Sequence, residues 1–514
     1  MILRLKYLFR KGGLLMSSLL GSTQNTRCIR PNDFRYIRSD VPCQITNKEI
    51  MKRYTFTLVS LLLASASLFA QKEIVKTGYN LGPLPVVAFD ADKGFQAGAL
   101  LNIYDFGDGS NFPNTRQKLY LEASFFTKGS QLFVINYDNK FLIPGVRWSS
   151  TATLTNDKAM DFYGFNGYMS YYDHERIALG KDKQNLDNYI YSPKYRVNRL
   201  AFLFKTDFTG NIWKNKLFWE AGYHLNYIKQ GYNNKQALNL DKINKNKEEE
   251  KMYPANEPTI FDLYRQWGII SDDEAWGGVN SALRFGLLFD TRDKEGAPSR
   301  GIWAEAHVSL APKWLGTSDP SYRYSATFRH YVPIVKNDIL TFAYRLNYEG
   351  TFGKNAPYYM LPFITVMGAN YDREGMGGYR TVRGLMRSRV QGLDMATYNV
   401  ELRWRFVNFA LWKQNIAFGL SAFSDGTMVT RNYDMSFKGE EQYRDAYDKY
   451  MALSGNRTSD RPHITVGAGL RFIMNQNFIV AFEYGMPLSK FSKDPFIKNQ
   501  DGNGAFYINT GFLF

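Results

Sequence analysis

The chain has 514 residues, 16% of them aromatic with 35 Tyr and 38 Phe, and a mean hydropathy of −0.37. No run of about 18 apolar residues occurs, which excludes ordinary helical membrane spans. The formal charge of +16 is dispersed among loops and strands, so a nucleic-acid partner is not indicated. Aromatic richness with modest hydropathy instead suits a membrane β-barrel, in which alternate residues face lipid and aromatic girdles mark both interfaces.

The first part of the chain is expected to be set aside. From Met51 the text MKRYTFTLVSLLLASASLFAQ has basic Lys52 and Arg53, an apolar stretch from Leu58 to Leu63, and a small-residue end from Ala64 to Ala70. That is the pattern of a secretory signal peptide, 51–70, cut between Ala70 and Gln71. Residues 1–50 show no hydrophobic period. They read as a non-native upstream extension with Met51 as the start, or else as a genuine basic pre-extension. Cys28 and Cys43 both fall there, so residues 71–514 offer neither a disulfide nor a thiol site. Residues 1–70 hold 11 Lys+Arg and 3 Asp+Glu, a net of +8, which leaves +8 for the rest. Residues 71–83, QKEIVKTGYNLGP, form a short periplasmic segment too small to fold alone.

From 84 to 514, period-2 alternation dominates. Leu217, Trp219, Ala221, Tyr223, Leu225 and Tyr227 interleave with Phe218, Glu220, Gly222, His224 and Asn226. The same pattern runs from Ala396 to Phe406, with Glu401, Arg403 and Arg405 on the polar face, and from His463 to Phe472. A soluble sandwich rarely sets Glu, Arg and His between such aromatic-rich positions. Sixteen strands are predicted, at 84–90, 93–106, 117–128, 131–142, 145–156, 197–209, 216–228, 280–292, 300–310, 321–333, 337–349, 394–407, 413–424, 462–473, 476–486 and 505–514. The four longest connections (157–196, 229–279, 350–393, 425–461) all follow odd strands, and those after strands 4, 6, 10, 12 and 14 are only a few residues long. That parity is the one a bacterial barrel requires, with short periplasmic turns and long external loops. The expected fold is therefore all-β, a 16-stranded antiparallel transmembrane barrel.

Within the loops, GEEQYRDAYDKYMA (439–452) reads as a short amphipathic helix and KINKNKEEEK (242–251) as a charged tip. Asp173–Glu175 is the one hint of catalytic chemistry, without a Ser or second acid placed by spacing. The five histidines, His174, His224, His307, His330 and His463, show no metal-ligand spacing. Neither a metal nor another cofactor is expected.

Three patches and the C-terminus resemble one family, the BamA/TamA-type outer-membrane protein superfamily of surface-antigen barrels. FDTRDKEGAPSRGIWAEAHV (289–308) resembles its strand–turn–strand signature, with Asp290, Arg292, Asp293, Pro298, Arg300 and Gly301 in place. Its acidic and basic groups can pair, and Pro and Gly set the turn backbone. Val382, Arg383, Gly384 and Leu385 resemble the Val-Arg-Gly-aromatic motif of a loop folded into the lumen, with Leu385 replacing the usual aromatic. AFSDGT (422–427) resembles the family's Phe-x-Asp element, and Glu401 matches a frequent acidic position. AFYINTGFLF, with Phe512 and Phe514 near its end, resembles the terminal strand that such barrels present to their assembly machinery.

A guanidinium is always charged and offers a rigid fork of donors, so in a confined lumen it needs carboxylates. Arg383 is thus the expected lock arginine, with Asp425 first and Glu401 second as acceptors. The alternative is that these charges merely line a wet pore. By resemblance, the chain is a barrel-only member without POTRA domains, placed in the outer membrane of a Gram-negative bacterium. The resemblance implies insertion of outer-membrane proteins or translocation of protein or lipid, without enzymatic chemistry. Expected partners are outer-membrane lipids or lipopolysaccharide, the barrel assembly machinery, and a separately encoded periplasmic partner or client protein. A passive or gated porin-like channel is the alternative function, and a barrel-rim enzyme a third.

Overall fold

The computed structural model describes residues 74–90, 94–127, 129–178, 192–232, 257–335, 337–354, 356–368, 373–475, 478–510 and 513–514. The expected extension, the signal peptide, the 242–251 run and Phe512 lie outside the described residues. The described residues belong to the compact unit Ser60–Phe514.

Sixteen strands form one antiparallel sheet. In its first half these are β1 (Tyr79–Asp90), β2 (Gly94–Asp105), β3 (Gln117–Phe126), β4 (Gln131–Ile143), β5 (Val146–Asp161), β6 (Arg196–Trp213), β7 (Leu217–Gly231) and β8 (Gly277–Asp290). The second half holds β9 (Gly301–Ala311), β10 (Ser321–Val335), β11 (Leu340–Thr351), β14 (Asp394–Leu411), β15 (Gln414–Arg431), β16 (His463–Met474), β17 (Phe478–Pro487) and β18 (Ala505–Thr510). The other two, β12 (Phe363–Ile364) and β13 (Arg373–Glu374), form a separate small hairpin inside the β11–β14 connection. Each barrel strand pairs with its sequence neighbours, and β1 lies against β18, which brings the two ends of the sheet together. No helix among the described residues is long and apolar enough to cross a membrane.

The alternation has its physical counterpart in the two faces. On β7, Glu220, His224 and Asn226 are buried, while Trp219 and Tyr227 are exposed. On β14, Asn399, Glu401 and Arg403 are buried and Leu402 is exposed. Charge inside and apolar surface outside is the inverse of a soluble domain and the arrangement a lipid-embedded barrel needs. Turn chemistry fits the short-turn end. Trp412 and Lys413 join β14 to β15 with φ of 50° and 58°, the left-handed pair whose twist suits a two-residue hairpin.

Several strands run further than the alternation predicts. β5 continues to Asp161, where Met160 and Asp161 still pair with Val197 and Arg196, and β15 continues to Arg431. At these upper ends other loops cover the inner face, so the hydrophobic contrast fades while backbone pairing persists. Among the described residues β18 runs from Ala505 to Thr510, and Leu513 and Phe514 are not in the strand. Phe514 does not continue its outward face: it is buried against Tyr331 and Ala343, its carbonyl accepting a bond from Arg403 Nη2 at 2.9 Å. Phe506 and Ile508 do face outward.

The long loops close over one end of the barrel with an aromatic core that includes Phe162, Phe165, Phe261, Tyr264, Trp267 and Tyr358. Helix α1 (His174–Ala178) and helix α2 (Ile260–Gln266) belong to this cap. Thr259 and Asp262 cap α2 reciprocally, which satisfies two otherwise orphaned donors. Helix α3 (Arg444–Leu453) forms within the expected amphipathic stretch.

Candidate functional site

The connection between β11 and β14 brings Arg383 against buried carboxylates of β14, β15 and β17, and its glycines allow that approach. Gly384 has φ of 91°, and a Cβ there would lie 2.5 Å from the Gly485 carbonyl carbon on β17. Only glycine combines that backbone with that approach. Val382 and Leu385 flank the tip in a buried apolar cluster with Ile364, Met376, Val390, Met395 and Val429. Leu385 therefore has an aliphatic pocket where the family motif carries an aromatic.

Arg383 is fully buried. Its Nε and Nη2 donate to the two Asp425 oxygens at 2.9 and 3.0 Å, a bidentate fork, and its backbone N–H adds a third bond at 3.0 Å. Nη1 donates to Glu401 Oε2 at 3.1 Å and to Glu483 Oε1 at 2.7 Å. The guanidinium stacks over Phe423, 3.5 Å from the ring centroid. Arg471 bonds both Glu401 and Glu483, and Arg403 bonds Glu401 at 3.2 Å. Three guanidiniums thus face three carboxylates, a balanced cluster in which each desolvated charge has partners.

The structure brings Arg383, Asp425 and Glu401 together and adds Glu483, Arg471 and Arg403, which sequence reasoning did not select. The signal was present for all three. Each sits at a polar position of an alternating run, facing the lumen side that carries Glu401. Two further loop arginines also have defined partners. Arg387 donates to Asp161 at 3.1 Å and Asp157 at 3.0 Å on β5. Arg389, also fully buried, donates to the carbonyls of Gln500, Gly167 and Ser170 at 2.8, 3.0 and 3.0 Å. Arg380 is exposed and bonds its neighbour Tyr379.

Arg389 adjoins a second polar cluster. His463 bonds Asp501 at 2.6 Å and Asp460 at 3.2 Å, and Tyr168 stacks on its ring while donating to Asp501 at 2.5 Å. Burial alone would raise the Asp501 carboxyl; His463, Arg389 and Tyr168 outweigh it and hold the group below its ordinary value. The other histidines have separate partners: Asn503 for His174, Asp207 for His224, Glu305 and Thr365 for His307, and Tyr344 for His330. Asp173 accepts the Arg176 N–H at 2.9 Å, a capping contact in α1.

The turn signature lies at the opposite end. Asp290 accepts three bonds from Arg292, at 3.0 Å from its backbone N–H and at 2.9 and 2.8 Å from its side chain. Asp293 accepts from Ser299 N and Oγ and from Arg300 N, at 3.0, 2.6 and 3.2 Å. The Arg300 side chain is exposed, and Pro298 is buried beside Ala297. The turn also reaches across to the far wall, where Glu295 pairs with Lys140 at 2.6 Å and Arg147 at 3.3 Å, while Ala297 packs on Ala417, Ile473 and Ile479. Gly301 has φ of 107°, and a Cβ would meet the Thr291 carbonyl at 2.3 Å. Gly301→Ala is expected to cost about 1–3 kcal/mol through strain and crowding, read as a lower unfolding midpoint in denaturant.

In fold, the chain is similar to BamA from Haemophilus ducreyi lacking POTRA domains 1–3, at 14% identity over 85% of this chain and 70% of that one, with a TM-score of 0.46. It is also similar to CdiB from Escherichia coli, at 10% identity over 88% of this chain and 69% of that one, with a TM-score of 0.44. Among curated proteins none matches the sequence. Residues 111–514 match the Omp85 superfamily domain, a span that holds the barrel strands from β3 onward, the loop bearing Arg383 and the turn described above, and the chain belongs to the Omp85 superfamily.

Proposed function

We propose that this protein is an outer-membrane barrel of a Gram-negative bacterium that inserts client proteins into that membrane or moves polypeptide or lipid across it. In this reading, the inward loop is the resting plug and Arg383 is its lock. The observation that carries the reading is the balanced cluster of Arg383, Arg403 and Arg471 with Glu401, Asp425 and Glu483, all buried. Charges that only lined a wet pore would keep water as their partner. Here a loop residue spends every guanidinium nitrogen on wall carboxylates, so the loop's position and the wall's charge balance depend on each other.

Its partners in this role are outer-membrane lipid, the assembly machinery that inserts the barrel itself, and a separately encoded periplasmic protein or client. Depletion in cells followed by outer-membrane proteomics and lipid analysis tests the role. The expected result is loss of specific barrel proteins, exported polypeptides or lipids. Unchanged levels of all three, together with a large and steady planar-bilayer conductance, would leave the passive-channel reading in its place.

A further inference from the structure

One segment of the inward loop is held in an unusual way. Residues 360–368 run across the inner wall from β10 and β11 towards β6, and the wall grips their main chain. Arg323 Nη1 donates to the carbonyls of Met360 and Phe363 at 3.1 and 2.8 Å. Glu349 accepts the Thr365 N–H at 2.8 Å. Lys205 and Arg284 both donate to the Val366 carbonyl, at 3.1 and 3.3 Å. Glu305 accepts the Met367 N–H at 3.1 Å and Asp207 the Gly368 N–H at 3.0 Å.

These six wall residues come from five strands, three cationic and three anionic, and all are buried. Cations meet carbonyls and carboxylates meet amides. Buried charge is costly unless it is satisfied, and here the main chain of one segment supplies part of what satisfies it, beside His224 on Asp207, His307 on Glu305, Ser309 on Arg284 and the Thr365 hydroxyl on Glu349. Every residue except proline presents the same N–H and C=O, so a wall built this way recognises an extended chain largely without regard to its sequence.

We infer that the inner wall formed by Lys205, Asp207, Arg284, Glu305, Arg323 and Glu349 is a backbone-reading site for an extended polypeptide, occupied at rest by the protein's own residues 363–368. The inference rests on the proposed role in assembly or translocation and names how that site would hold a polypeptide client. The occupying segment adds side-chain contacts of its own, with Arg199 lying over the Phe363 ring at 5.2 Å and Ile364 in the cluster beside Val382. Those contacts favour the resting occupant over an arbitrary chain and make its displacement the controlled step.

The test uses the full-length barrel in nanodiscs and benzophenone-bearing octapeptides. One peptide has the sequence of residues 361–368, LPFITVMG; a second is a scramble of it; a third is N-methylated at the three amides matching Thr365, Met367 and Gly368. Thr365→Pro removes the N–H and hydroxyl bonds to Glu349, Thr365→Pro/Met367→Pro also removes the N–H bond to Glu305, and folding is scored by the mobility shift between boiled and unboiled protein. If the double variant fails to fold, the single variant and the wild type at excess peptide decide.

Labelling of β6–β11 by the first two peptides is expected to rise about tenfold in the variants, and methylation is expected to lower it about tenfold. Equal labelling by methylated and unmethylated peptides, labelling by one sequence only, or none in any folded form overturns the inference. An intact labelling pattern with no depletion phenotype would sink the proposed role and leave the peptide site standing.

Discussion

Arg383→Ala is expected to destabilise the folded barrel by about 3–5 kcal/mol, the usual cost of leaving buried charges without their partner. The variant leaves Asp425, Glu401 and Glu483 without the guanidinium that bridges them, and Asp425 loses both side-chain bonds while keeping the one from the backbone N–H of residue 383. Water entering the vacated space reduces the cost, so the lower part of that range is expected if the lumen floods. Flooding has its own readout, a wider and steadier conductance in planar bilayers. Arg383→Lys keeps the charge but not the fork, and should recover only part of the loss.

A double-mutant cycle separates lock from lining. If Arg383 and Asp425 act as a unit, Arg383→Ala/Asp425→Asn costs clearly less than the sum of the two singles, because removing the stranded carboxylate relieves part of the damage. Additive effects, with conductance unchanged, would show that the loop is held elsewhere.

The sequence carried the barrel because its strongest signal, alternation, is imposed by the membrane itself. Glu220 between Trp219 and Ala221, or Glu401 between Val400 and Leu402, has no good explanation except a strand with lipid on one side. Loop parity then set which end was which. The lock was half legible. Arg383 and Asp425 could be paired because a motif singled them out, whereas Glu483 lies 100 residues from Arg383 and meets it only once the barrel curves. Arg387 and Arg389 looked equivalent to Arg380 in the text. Their partners, carboxylates on β5 and carbonyls in two other segments, are set by how loops pack, and no local pattern encodes that. Phe514 shows the reverse failure: the alternation sets it on one face with Phe506 and Ile508, which are exposed, but contacts with Arg403 and Tyr331 draw it inward.

Gly384 gives the second large effect and links the Arg383 loop to the end of the sheet. Gly384 seats against Gly485 and donates its N–H to Tyr507 Oη at 3.0 Å. Tyr507 lies on β18 and pairs with Glu483 of β17, a carboxylate that Arg383 also binds. Gly384→Ala combines a left-handed backbone with a Cβ 2.5 Å from the Gly485 carbonyl carbon, and about 2–4 kcal/mol of destabilisation is expected. Gly316→Ala is the matched control, since Gly316 has φ of 88° with nothing within 4 Å of the added Cβ, so it carries the strain without the clash. Hydrogen exchange followed by mass spectrometry should show faster exchange of the 505–510 amides in Gly384→Ala than in Gly316→Ala, because lifting the tip releases Tyr507. Tyr507→Phe should move those amides in the same direction by a smaller amount, since it removes the hydrogen bond and leaves the glycine contact. Identical exchange in the two glycine variants would mean that the plug can move without the last strand sensing it.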